Sequence, residues 1–257
     1  MRLTVFRHER EAAAALAERL AAALGERPSL VLGLPTGRTP VPLYRQLVAL
    51  HARGRADFGR VTTFNLDEFW RLPPEHPGSY HAYMERHLFG HVTIARERTH
   101  FLDGTAPDAA AECERYETAI AAAGGIDIQI LGIGANGHIG FNEPGMALQA
   151  RTHKATLKPQ TRRANAGFFG DDLSHVPGEA LSMGMATILH ARSIILLAMG
   201  RGKGRAVERM VNGPLTTRLP ASFLQIHHDV EVVLDEAAAE RLTETQRARL
   251  PDHPGRA

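Results

Sequence analysis

Two periods of apolar spacing alternate along this chain. Short, mostly apolar and β-branched runs at residues 3–6, 30–34, 61–65, 126–131, 194–198 and 230–234 read as strands. Runs so short and so apolar suit strands covered on both faces. Between them lie longer segments with apolar residues at helical spacing. Residues 9–24 are alanine-rich and place Leu16, Leu20 and Leu24 four apart. Residues 41–52 follow Pro40, residues 107–123 open with Pro107, and residues 203–211 form a further short helix. Proline suits a first helical turn because its missing N–H would have no partner there. Strand-then-helix repetition predicts an α/β fold, a single domain over residues 1–242 on an open, mostly parallel, Rossmann-like sheet with helices on both faces. Residues 243–257 are polar and end in a proline-containing run, so they are expected to fray as a C-terminal tail.

Composition narrows the function classes. The chain has 257 residues, 44% hydrophobic and 23% charged, which are ordinary globular values. Its 30 Lys+Arg and 28 Asp+Glu leave a net charge of +2, and the basic residues are scattered. That pattern argues against a nucleic-acid partner while allowing a local anion pocket. Cys113 is the one cysteine, which excludes an internal disulfide and fits a reducing compartment. The start, Met1 to Phe6, is too short and too polar for a signal peptide, and no run approaches the roughly 18 apolar residues of a membrane span. A cytoplasmic protein without a membrane partner is expected.

Four blocks at strand ends carry candidate chemistry, and in open α/β sheets ligands gather at those ends. Gly33-Leu34-Pro35-Thr36-Gly37-Arg38-Thr39-Pro40 lies between a strand and a helix. Its hydroxyls and helix-start N–H groups suit a phosphate, although a threonine-capped turn would look the same. Phe64-Asn65-Leu66-Asp67-Glu68-Phe69-Trp70 ends another strand with two adjacent carboxylates. One can reach into a cleft as a general base while the other supports the loop. Leu131-Gly132-Ile133-Gly134-Ala135-Asn136-Gly137-His138 packs glycines around a histidine, and Glu143 follows five residues later. A carboxylate near an imidazole can orient and charge it, which suits proton transfer on a polar small molecule. Gly200-Arg201-Gly202-Lys203 again joins a strand to a helix, and Lys203 can meet a phosphate as a point charge. His76, His81, His87 and His91 show no compact metal-ligand spacing, so no catalytic metal is expected.

In this order the blocks resemble the glucosamine-6-phosphate deaminase (isomerase) family over residues 1–242. Phe64-Asn65-Leu66-Asp67-Glu68 and Gly137-His138-Ile139-Gly140-Phe141-Asn142-Glu143-Pro144 are the most specific matches. Supporting matches are Glu75-His76-Pro77-Gly78-Ser79-Tyr80, Val176-Pro177 with Ser182-Met183-Gly184, and Pro220-Ala221-Ser222-Phe223-Leu224. The related 6-phosphogluconolactonases share the fold but continue their histidine motif toward Ala-Ser-Leu-Phe-Pro, not Gly-Phe-Asn-Glu-Pro. The resemblance implies a small-molecule amino sugar phosphate as substrate, glucosamine 6-phosphate or its galacto epimer, converted to a ketose 6-phosphate and ammonia. It implies Asp67 as the C2-to-C1 base, His138 for ring opening with Asn136 and Glu143 beside it, and Glu68 in support. Thr36, Gly37, Arg38, Thr39, Glu68, Gly137 and Lys203 would hold the substrate, and residues 157–177 would form a mobile lid. No metal or organic cofactor is implied, because proton transfers suffice. A homo-oligomer is admitted, and a non-catalytic sugar-phosphate sensor is the competing reading.

Three features depart from the family pattern. Asn136 stands where many members carry an aspartate, so His138 should be less readily protonated. Gly167 precedes Phe168-Phe169 where an arginine is usual, and Arg162, Arg163 and Arg38 are the candidates to replace it. Met146, Ala147, His153 and Ala155 occupy positions that bind N-acetylglucosamine 6-phosphate in allosteric members, so no activation by that ligand is expected.

Overall fold

A computed structural model describes residues 1–247. The chain runs β1 (Arg2–Phe6), α1 (Glu9–Glu26), β2 (Val31–Leu34), α2 (Val41–Ala52), β3 (Thr62–Asn65), β4 (Asp67–Phe69), α3 (Tyr80–His87), β5 (Thr99–His100), α4 (Ala109–Ala122) and β6 (Ile128–Gly132). It continues through β7 (His153–Thr156), α5 (Pro159–Asn165), β8 (Glu179–Ser182), α6 (Met185–Leu189), β9 (Ser193–Ala198), α7 (Gly204–Asn212), β10 (Val230–Asp235) and α8 (Glu244–Arg247). Of the tail expected at 243–257, residues 244–247 form that last helical turn, and residues from 248 on lie outside the described part.

Seven strands form one sheet in the order β1-β10-β9-β6-β2-β3-β5, with every pairing parallel. All six expected strands belong to it, and the short β5 adds an edge. Alternate residues of each strand serve opposite layers, as the two-residue strand period requires. Leu131, Ile194, Leu196 and Val232 pack with Tyr116 of α4 and Val207 of α7. Ile130, Ile195, Leu197 and Val233 pack on the other face with α1 and α2. The alanine run of α1 favours helix and buries Leu16, Leu20 and Leu24 on one stripe. Full burial of each such leucine contributes about 1.5–3 kcal/mol.

The sheet order fixes where a ligand can enter. From β2 the chain moves outward to β3 and β5, whereas from β6 it moves the other way to β9 and β10. Neighbours β2 and β6 therefore send their connections in opposite directions and leave a crevice at their carboxyl ends. The Thr36 loop follows β2, and the histidine loop follows β6.

A second, three-stranded antiparallel sheet, β4-β8-β7, was not expected from the sequence. Only Leu66 separates β3 from β4. Its N–H donates to Leu34 of the large sheet at 3.0 Å, and its carbonyl accepts from Met183 N at 2.9 Å. This residue hands the chain from one sheet to the other and sets Asp67 beside the crevice. Phe69, Tyr80, Phe141, Phe169 and Val176 form a separate apolar cluster beneath it.

Candidate active site

The crevice is a cavity of about 690 Å³, lined by the loops after β2 and β6, by Asp67, by α5 and by Lys203. That volume suits a small metabolite. Thr36, Gly37, Arg38 and Thr39 all line it. No side chain caps α2, whose N-cap is Pro40, so the threonine hydroxyls are not spent on the helix end. Gly37 has φ 96°, a conformation that glycine adopts without strain, and its carbonyl accepts from Tyr83 Oη at 2.6 Å. Lys203 completes this basic wall, and burial lowers its pKa.

The histidine loop is shaped by what its glycines leave out. A Cβ on Gly134 would lie 2.3 Å from the His138 ring, so any side chain there would displace the imidazole. Gly137, expected among the substrate-binding residues, does not line the cavity. It has φ 89° and backs onto Leu219, where a Cβ would fall 2.1 Å from Cδ1. Its N–H donates to Gly134 O at 2.9 Å and its carbonyl accepts from Ala221 N at 3.0 Å, so both groups are spent inside the fold.

His138 faces the cavity with one edge and buries Nδ1 without a partner. Glu143 stands behind it, with Oε2 3.8 Å from Nδ1. Asn136 bridges the two. Its Oδ1 accepts from the backbone N–H of His138 at 3.2 Å, and its Nδ2 donates to Glu143 Oε2 at 3.1 Å. Burial lowers the His138 pKa, Glu143 opposes that shift, and Lys203 and Lys158 add to it. The imidazole is therefore neutral near pH 7 and free to accept a proton.

Asp67 and Glu68 divide their roles by strand alternation. Asp67 lines the cavity and is 6% exposed. Burial first, and Glu68 second, push its pKa well above the ordinary carboxylate range. Glu68 points away from the cavity, which corrects its expected place among substrate-binding groups. Its Oε1 accepts from Phe69 N at 2.8 Å and Tyr80 N at 3.0 Å, and its Oε2 accepts from His81 N at 2.9 Å. It caps the positive end of α3. Burial nevertheless outweighs these three donors and raises its pKa to about 7. Replacing Glu68 by Gln turns one acceptor into a donor facing a buried N–H. At pH 8, where the native carboxylate is ionised, the variant should lose about 1–3 kcal/mol of stability. Thermal unfolding of the two proteins checks this, and an unchanged Tm would remove the capping role.

The remaining wall is α5 and the short 3₁₀ helix Ala166–Phe169, which contribute Thr161, Arg163, Asn165 and Phe168. The three arginines named for the missing cation at Gly167 separate here. Arg162 donates to the carbonyls of Leu173 and Val176, each at 2.8 Å from Nη2, and ties down the following loop. Arg38 and Arg163 line the cavity. A Cβ on Gly167 would lie 3.3 Å from Arg38 Nη2, so this guanidinium covers the glycine. Sequence reasoning met Tyr80 only as part of a motif match and did not single out Thr161 or Asn165 within the expected lid, although all three line the cavity.

The chain is similar to known proteins along nearly its whole length. Residues 7–234 match the family model for glucosamine-6-phosphate isomerases/6-phosphogluconolactonase. The glucosamine-6-phosphate deaminase of Halothermothrix orenii is 50% identical over 242 residues, which cover 94% of this chain and 100% of that protein. A solved monomeric glucosamine-6-phosphate deaminase is 43% identical, with a TM-score of 0.91 over 94% of this chain and 100% of its own. The 6-phosphogluconolactonase of Trypanosoma cruzi, 21% identical with a TM-score of 0.71 over 94% of this chain and 97% of its own, shares the fold alone. The chain belongs to the glucosamine-6-phosphate deaminase (isomerase) family.

Proposed function

We propose that this protein is a glucosamine-6-phosphate deaminase, converting glucosamine 6-phosphate and water to fructose 6-phosphate and ammonia. The observation that carries this reading is that Asp67 and His138 face one cavity with the Thr36–Thr39 loop and Lys203. Two groups suited to moving protons thus meet groups suited to holding a phosphate. The two deaminases named above are matched over their whole length.

The steps follow from the chemistry of the sugar. The phosphate is held by Thr36, Gly37, Arg38, Thr39 and Lys203. His138 takes the proton of the anomeric hydroxyl and returns one to the ring oxygen, which opens the ring. Asp67 removes the proton at C2 while the substrate's ammonium gives a proton to the C1 oxygen, leaving an enolamine, and Asp67 then delivers its proton to C1. The C2 iminium so formed adds water and releases ammonia. Residues 157–177 act as a lid that admits the substrate and shields these intermediates from bulk water. The solved deaminase that is 43% identical is monomeric, so we take the monomer as the working unit. The doubly charged phosphate keeps the substrate in the cytoplasm, where we place the reaction. Among the described residues no helix is long and apolar enough to cross a membrane.

Acid inactivation should begin early. Asp67 acts only when ionised, and its raised pKa means the base form is lost at a higher pH than for an ordinary carboxylate. The rate kcat/KM should therefore rise with pH along a limb centred above about 4, the usual carboxylate value. A pH–rate profile flat down to that value would contradict Asp67 as the base. To test substrate identity, phosphorus NMR can follow glucosamine 6-phosphate and galactosamine 6-phosphate in parallel. The gluco ester should be converted to the ketose ester. Calorimetric binding of either sugar without turnover would instead identify a sensor.

A further inference from the structure

One side chain ties the cavity wall to the histidine. Thr161 lies in the first turn of α5 and is 2% exposed, and its Oγ1 donates to Glu143 Oε1. The other carboxylate oxygen accepts from Asn136 at 3.1 Å and stands 3.8 Å from His138 Nδ1. Neutral donors therefore engage both oxygens, while the nearby ring nitrogen is buried and unpaired. Leaving such a nitrogen without a partner is costly, and a small swing of the Glu143 carboxylate would satisfy it. What prevents the swing is the pair of bonds from Asn136 and Thr161. Asn136 belongs to the same loop as His138, whereas Thr161 arrives on a separate segment.

We propose that Thr161 is a positioning residue that holds Glu143 away from His138, so that the placement of α5 governs whether the imidazole takes a proton. This rests on reading His138 as the ring-opening group. The segment is fastened at both ends. Lys158 donates to the carbonyl of Pro144, and Tyr80 Oη donates to Asn165 Oδ1 at 3.2 Å. Asn165 Nδ2 in turn donates to Thr161 O at 2.9 Å. The charged groups around His138 are Glu143 behind it, Lys203 after β9 and Lys158 just before α5, and the cavity it faces also holds Glu9, Arg38, Asp67, Arg163 and Asp235. Displacing α5 removes a donor from Glu143 and withdraws the Lys158 charge together. Both changes favour the protonated imidazole. With α5 seated, His138 is a neutral acceptor; with α5 displaced, it becomes a proton carrier.

The test is direct titration of His138 by NMR of ring-labelled histidine. The chain has 14 histidines, and the resonance missing from His138→Gln assigns the one that matters. In Thr161→Val, which keeps the shape but not the hydroxyl, the His138 midpoint should rise by about one pH unit, a tenfold change in proton affinity. Thr161→Ser should retain the wild-type midpoint. Thr161→Ala removes the hydroxyl with a smaller side chain and gives the same readout if the valine variant does not fold. An unchanged midpoint in the variants lacking the hydroxyl, or an equal shift in Thr161→Ser, would overturn the proposal. A shifted midpoint in a protein that turns over no amino sugar phosphate would support the coupling and remove the deaminase reading instead, so the two fail separately.

Discussion

Asp67→Asn is expected to lower kcat by about 10³-fold, within the range for loss of a general base, while leaving the fold intact. The substitution keeps the shape of the side chain and removes the only carboxylate among the described residues of β4 that faces the cavity. Glu68 cannot take over, because its two oxygens are held by Phe69, Tyr80 and His81 at the start of α3. Nor should the variant be unstable. Burial and a neighbouring carboxylate already disfavour the charge on Asp67, so an uncharged amide should be neutral or stabilising by up to about 2 kcal/mol. Steady-state rates and thermal melts on the same preparation separate the two effects. Wild-type kcat in Asp67→Asn would remove Asp67 as the base. A loss of rate accompanied by an equal loss of stability would make its role structural.

His138→Gln should reduce kcat about 10²-fold, and the loss should fall on ring opening. Glutamine can still hydrogen-bond within the loop but cannot exchange a proton near neutral pH. The enzyme would then depend on the small fraction of substrate that opens in solution. An open-chain amino-alditol phosphate, which has no ring to open, should bind the variant with wild-type affinity in calorimetry. Affinity falling in step with kcat would show that His138 binds the sugar and does not open it.

Much of this architecture was legible because buried parallel strands are nearly continuous apolar runs. Residues 30–34 and 194–198 are such runs, and each is covered on both faces. The small sheet had no comparable signal. Asp67-Glu68-Phe69, His153 to Thr156 and Glu179 to Ser182 are short and largely polar. They become strands only by pairing across long stretches of chain, as Asp67 and His153 each do with Ser182. The same absence hid which member of the Asp67-Glu68 pair faces the cavity, since alternation assigns faces only once a strand is recognised. Gly137 fitted the pattern of a ligand-cradling glycine, yet its need is steric, set by Leu219 more than eighty residues away in the chain. Thr161, within Pro159-Gln160-Thr161-Arg162-Arg163, looks like helix surface until Glu143 is placed against it. The strand-end blocks were readable because fold topology gathers such blocks at one edge, whereas contacts made by α5 depend on where that segment docks.

The central claim is that Asp67 and His138 act on an amino sugar phosphate to release its nitrogen. Its most direct test is to incubate the purified protein with glucosamine 6-phosphate and quantify ammonia and fructose 6-phosphate from the same tube. Equal amounts of both should form with the wild-type chain, and neither should form at a comparable rate with Asp67→Asn. No ketose phosphate from the wild-type protein, or equal rates from both proteins, would contradict the account.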